Sequence, residues 1–159
     1  MSRAFTRDGQ EGEGTDILPD RPISPNRNLV TRRGLAWIEQ ELEKARALFA
    51  TAEREGDRVG MGNASRDTRY WSARRASAEL ITPDPAAGEL RFGMAATLRY
   101  PDGHEATWRV VGEDEADASH GLISHVAPLA RALFGKEVGD RVRVPGGEAE
   151  IIRIIADGE

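Results

Sequence analysis

Between residues 35 and 52 the apolar side chains fall at Leu35, Ile38, Leu42, Ala45, Phe49 and Ala52. The steps are 3, 4, 3, 4 and 3, the heptad spacing of a helix that buries one narrow seam. No proline interrupts the run, and its one glycine, Gly34, falls in the first turn. Glu39, Glu41, Glu43, Lys44 and Arg46 occupy the other faces. Thr31 can cap the N-terminus through its hydroxyl. A helix from Thr31 to Glu55 would be about 37 Å long at about 1.5 Å per residue. Such a seam cannot stay in water, so the chain must supply a partner helix.

The partner follows directly. "GDRVGMGNAS" at 56–65 reads as a glycine-rich turn, and Asn63 or Ser65 can cap a new helix. Residues 66–81 carry a weaker return seam at Tyr70, Ala73, Ser77 and Leu80, with Trp71 and Ile81 nearby. "TPDP" at 82–85 would end it. Two amphipathic helices on a short connection pack antiparallel. The expectation is a helical hairpin over 29–82, then a linker at 83–88.

From Glu89 the period changes to two. Phe92, Met94, Ala96, Leu98 and Tyr100 alternate with mostly polar residues, "PDGH" at 101–104 turns the chain, and 106–111 returns. "GEDEAD" at 112–117 reads as a charged loop and 122–126 as a further strand. Pro128 opens a short helix at its first position and Gly135 closes it. Residues 141–144 and 148–155 form a last hairpin around "PGG". The fold class expected is α+β: an antiparallel helical hairpin, then a small antiparallel sheet with one short helix over 89–159. Residues 1–28, rich in Gly, Asp, Glu, Pro and Ser, read as a disordered or extended tail. Pro22 and Pro25 favour extended backbone for "RPISP".

Several function classes fall away on composition. The chain has no cysteine, which removes disulfides, thiolate metal sites and thiol nucleophiles. A reducing cytoplasm is the default location. No apolar stretch approaches the roughly 20 residues that span a bilayer. His104, His120 and His125 match no zinc spacing, and "GMGNAS" is not a phosphate loop. Formal net charge is −5. Residues 29–82 hold 10 basic and 8 acidic side chains, residues 83–159 hold 8 and 14. An acidic domain repels duplex DNA at long range, so general nucleic-acid binding is not expected.

The C-terminal half carries a specific pattern. "VGEDEAD", "G-x-I-S", "P-L-A-R-A-L-x-G-K-x-x-G-D" and "P-G-G-E" follow one another over 111–148. In that order and spacing they resemble the C-terminal domain of the bacterial Gre transcript-cleavage and elongation factors. "LVTRRGLAWIEQELEKA" resembles the start of the Gre coiled coil, and "EREGD" at 53–57 its tip. The resemblance implies an FKBP-like C-terminal domain that docks on the β′ subunit of bacterial RNA polymerase at the rim of its secondary channel. The hairpin would enter that channel as a monomeric arm, and its tip would approach the nascent RNA 3′ end. The chain would be no enzyme itself and would hold no intrinsic metal. Acidic tip residues would help the polymerase hold its catalytic Mg²⁺ and position a water, as a hard cation and a metal-activated nucleophile require.

On that resemblance Asp57 is the tip residue. Ser124, Val126, Ala127, Pro128, Leu129 and Arg131 form the partner-binding corner, and Arg54, Arg58, Arg66 and Arg69 give the hairpin its electrostatic character. The bland readings stand beside these. Asp57 is equally a turn aspartate, the four arginines together with Arg74 and Arg75 a solvated helix face with paired charges, and Asp114, Glu115 and Asp117 loop acids. The family tip has a second carboxylate after the Gly-Asp pair. Here the corresponding position is Gly62 in one register and Arg69 in the other, and Asp67 would lie round the helix. Stimulated cleavage of backtracked RNA therefore stands beside a non-cleaving modulator or inhibitor of the polymerase. Regulation of nucleoside diphosphate kinase and prolyl isomerisation by the FKBP-like domain are further alternatives. The last would need an aromatic pocket from Phe92, Tyr100, Trp108 and Phe134.

Overall fold

The computed structural model describes residues 18–156. The expectation for residues 1–17 of the tail lies outside the described residues. Helix α1 spans Arg32–Glu55 and α2 spans Arg58–Ser77. Thr31 caps α1, its hydroxyl accepting from the Gly34 amide at 2.9 Å. Ile38, Leu42, Ala45 and Ala52 of the heptad seam are buried, while Leu35 and Phe49 are half-buried.

The second helix differs from its sequence reading in three ways. It begins at Arg58 rather than near residue 66. The expected glycine turn is helical, and neither Asn63 nor Ser65 is its cap. Its buried positions are Ala64, Trp71 and Arg74, with Ala78 packed at the edge, so the seam runs one residue off the expected set. Ser77 is exposed, and the helix ends there, before "TPDP". Leu80 instead lies in a strand. β1 (Leu29–Val30) and β2 (Glu79–Leu80) pair in parallel across the hairpin base. Val30, Ile38, Leu42 and Trp71 form the small hairpin core.

The remaining strands are β3 (Ala95–Arg99), β4 (Glu105–Val111), β5 (Leu122–Ser124), β6 (Arg141–Val144) and β7 (Gly147–Ile155), with α3 at Pro128–Leu133. They form one sheet in the order β5-β4-β3-β7-β6. All pairs are antiparallel except β4 and β5, which run parallel. The sheet is therefore mixed, not antiparallel throughout. The 112–121 segment carries the chain from the end of β4 to the start of β5. It contains a 3-10 turn at Ala118–His120, so β5 enters beside β4 in the same direction. Leu90, Met94, Leu98, Val110, Leu133 and Ile151 are fully buried in the domain core. Leu29 packs against this core from the hairpin base. No helix among the described residues is long and apolar enough to cross a membrane.

The hairpin base meets the β-domain at Gly112, where a Cβ would overlap the Leu29 carbonyl oxygen. Gly112→Ala should cost about 1–3 kcal/mol through this overpacking. Gly88→Ala, with nothing near its added methyl group, should stay within about 0.5 kcal/mol. Urea denaturation of the two variants checks the contrast.

Candidate functional site

Three features are candidates for function: the hairpin apex, the corner before α3, and the joint that sets one relative to the other. The joint is built on Arg74, whose side chain is 3% exposed, and Asp114, 9% exposed. Arg74 Nε donates to Asp114 Oδ2 at 2.6 Å and Nη2 to Asn28 Oδ1 at 2.8 Å. Asn28 Nδ2 returns a bond to the Arg74 carbonyl at 2.7 Å. Tyr70 donates its hydroxyl to Asp114 Oδ1 at 2.5 Å, so both carboxylate oxygens are used. Burial, and then the hydrogen bond to Asp114, push the Tyr70 phenol up to about 12. Next along the loop, Glu115 accepts the Thr31 hydroxyl at 2.5 Å. Gly34 leaves room for that carboxylate, which a Cβ would crowd. Asp117 caps the following turn by accepting from the Ser119 amide at 3.0 Å. Bonds from Ser119 and then His120 hold its carboxyl below the usual range.

The loop acids are therefore structural, two of them fastening the hairpin. The sequence reading missed this because Arg74 was counted as surface charge. Ala64, Trp71 and Ala78, with Arg74 between the last two at helical spacing, already put it on the buried seam. Among the described residues no group of three or more His, Asp or Glu could hold a metal.

At the apex, Gly56 adopts a left-handed conformation, φ 66°. Its amide donates to the Glu53 carbonyl at 3.2 Å and the Asp57 amide to Ala52 at 2.8 Å. These two bonds form a Schellman motif closing α1. Asp57 then caps α2, its Oδ1 accepting from the Gly60 amide at 2.9 Å. Gly60 is needed there, since a Cβ would overlap the Asp57 carboxylate. Because α2 starts at Arg58, Asp67 lies about 15 Å along the helix from Asp57 at about 1.5 Å per residue. It pairs with Arg21 at 3.2 Å and is no apex residue. Glu55, which the sequence reading did not weigh, is exposed across Gly56 from Asp57. Arg54 and Arg58 are exposed at the same end. Arg66 is half-buried beside Asp67, 3.8 Å away, and Arg69 is held by Asp20 at 2.5 Å. The four arginines do not form one patch.

At the corner, Ser124 ends β5 and its carbonyl accepts from the Ala127 amide at 2.9 Å. Its hydroxyl accepts from Val126 N at 3.3 Å. Pro128 opens α3 and is exposed, as is Arg131. Val126 and Ala127 are half-buried, and Leu129 packs against the core. His125 lies edge-on to Phe92, ring centroids 5.7 Å apart, and burial lowers its imidazole pKa. The corner is thus a hydrogen-bonded turn that exposes Pro128.

A profile described as "Transcription elongation factor, GreA/GreB, C-term" matches residues 85–156. Transcription elongation factor GreA of Alkalilimnicola ehrlichii is 37% identical over 150 residues, covering 76% of this chain and 91% of that protein. GreA of Ruegeria pomeroyi is 33% identical over 140 residues, covering 75% and 90%. The chain belongs to the GreA/GreB family of transcription elongation factors. Among solved structures, GreA factor homolog 1 of Thermus thermophilus aligns over 81% of this chain and 99% of its own at 21% identity, with a TM-score of 0.38. The matched residues include the "VGEDEAD" run, in which Gly112 abuts the Leu29 carbonyl and Asp114 and Glu115 accept bonds from the hairpin.

Asp114→Ala leaves Arg74 buried without its counter-charge and should cost about 3–5 kcal/mol, read from urea denaturation. A spectrophotometric titration should show one of the two tyrosines ionising near 12. The folded value lies above the ordinary 10.0, so this group's stabilisation is complete below about pH 10 and lost as pH rises through about 12. In Tyr70→Phe the late phenol should be missing.

Proposed function

We propose that this chain binds RNA polymerase and regulates elongation by presenting its hairpin in the secondary channel. The corner at Ser124, Val126, Ala127, Pro128, Leu129 and Arg131 is the docking surface on the β′ side of the channel rim. Family membership supports the partner. The hydrogen-bonded corner, with Pro128 exposed beside partly covered apolar side chains, supports the docking surface. The chain acts as a monomeric arm on the polymerase and brings no catalytic site of its own.

The observation that supports one mode of action over the other is the state of Asp57. Its carboxylate caps α2 through Gly60, and Arg54 and Arg58 flank it. A carboxylate already engaged with a helix N-terminus is a poor added ligand for a divalent cation. The reading is therefore a channel-occupying modulator that leaves cleavage to the polymerase and its own Mg²⁺. A specific observation supports the second reading, stimulated cleavage. Glu55 stands across the two-residue turn from Asp57, so the apex offers two carboxylates close to a nascent RNA 3′ end. Prolyl isomerisation lacks its pocket: Phe92 is in the core, and Trp108 Nε1 donates to Tyr100 at 2.8 Å. The relatives are elongation factors, which favours the polymerase over nucleoside diphosphate kinase as partner.

Val126→Asp and Pro128→Asp should each weaken binding to purified core polymerase by about tenfold or more, the range of a central interface residue. Equal affinity for wild type and both variants would remove the corner. In stalled, backtracked complexes the wild type should bind without accelerating RNA cleavage. Acceleration that Asp57→Ala and Glu55→Ala abolish would replace the modulator reading with the second one. Asp57→Ala should in either case cost about 1 kcal/mol of stability as a lost cap.

A further inference from the structure

Residues 18–28 form no helix or strand and bend at Pro25–Asn26, and their contacts divide between the two bodies that the joint connects. On α2, Asp20 pairs with Arg69 Nε at 2.5 Å, and the Leu18 carbonyl accepts from Arg69 Nη2 at 3.4 Å. The Arg21 guanidinium lies 3.9 Å from the Tyr70 ring centroid and 5.5 Å from that of Trp71. It also pairs with Asp67 at 3.2 Å. On the β-domain, Glu113 accepts from Ser24 Oγ at 2.9 Å and Asn26 Nδ2 at 3.1 Å. Between these, Arg27 grips Glu79 at the hairpin base through two bonds, 3.2 and 2.9 Å. Asn28 then enters the joint itself.

We propose that residues 18–28 are a salt-sensitive strap that fixes the angle between the helical hairpin and the β-domain. Its two anchor sites lie on different bodies, so any swing of the hairpin must break one set. Glu113 stands next to Asp114, so the strap is tied to the same loop that makes the joint. Pro19, Pro22 and Pro25 restrict the backbone of the segment, which lowers the entropy it loses on docking. The two fastenings differ in their surroundings. Arg74 and Asp114 are almost fully buried, whereas the Asp20–Arg69 and Arg21–Asp67 pairs are 36–73% exposed. Exposed pairs are screened by salt and buried ones much less. Salt therefore releases the strap and leaves the joint.

The test uses the full chain, which has no cysteine, so Ala50→Cys on α1 and Arg143→Cys on β6 can carry spin labels. Both positions are exposed. The distance between labels is measured by pulsed dipolar spectroscopy at about 0.05 M and about 1 M salt, where screening lengths differ several-fold. One narrow distribution is expected at low salt, broadening about twofold at high salt. The Asp20→Asn/Arg21→Gln double variant should be broad at both salt concentrations. Neither residue belongs to a core, and Glu113→Ala, which removes the acceptor of the other anchor, should give the same broadening. Narrow distributions in both variants at low salt would overturn the proposal. So would a parent chain whose distribution ignores salt, because the joint alone would then set the angle.

Discussion

The arrangement of the two bodies depends on the ion pair between Arg74 and Asp114. Two charges at 3% and 9% exposure are costly to take out of water, and their mutual attraction offsets that only with good geometry and further hydrogen bonds. Here Tyr70 and Asn28 supply those bonds, and the network ties α2 to the 112–117 loop at defined atoms. An apolar contact of the same area would hold the bodies together, yet it could slide. The hairpin core and the domain core are separate clusters. The polar joint between them therefore carries the directional information.

The apex follows a different physics. A Schellman motif ends α1 and an aspartate cap begins α2, with only Gly56 and Asp57 between the helices. One residue, Asp57, completes the first motif through its amide and starts the second through its carboxylate. The tip is consequently a tight corner with no loop to rearrange. The acid that the family resemblance singled out is doing what an aspartate at a helix start does, and any role toward a partner must compete with that bond.

Much of this was legible in the sequence. The heptad seam, the Thr31 cap and the proline that opens α3 each reflect a local preference that the fold obeys, whereas the alternation from Phe92 to Tyr100 does not hold: β3 is only Ala95–Arg99, and Phe92 to Leu98 are all buried. The start of α2 was not legible, because Gly60 and Gly62 each disfavour a helix interior by about 1 kcal/mol. Packing against α1 overrides that preference, and Gly60 also makes room for the cap. Arg74 was misread because a charged side chain is assigned to solvent unless its partner is known, and Asp114 lies 40 residues away. The parallel pairing of β5 was hidden for a similar reason. Strand direction was set by the path through 112–121, which carried no pattern except charge. Of the candidate site residues, Asp57, Pro128 and Arg131 are exposed and Ser124, Val126, Ala127 and Leu129 half-buried, while Arg66 and Arg69 are engaged within the chain.

That engagement changes where the hairpin offers charge. Its formal excess of basic residues suggested a positive stripe along α2. Arg69 is matched by Asp20, Arg74 by Asp114 and Arg75 by Glu39, which leaves little net field along that helix. Arg54 and Arg58 have no acidic partner within 4.0 Å among the described residues, and both flank the apex. Glu55 and Asp57 alternate with them there. Close opposite charges cancel at a distance and act only at contact. An arm of this kind is not drawn to a polyanion from afar. On the proposed reading, the apex would therefore act only after the body has docked, and recognition would begin at the β-domain.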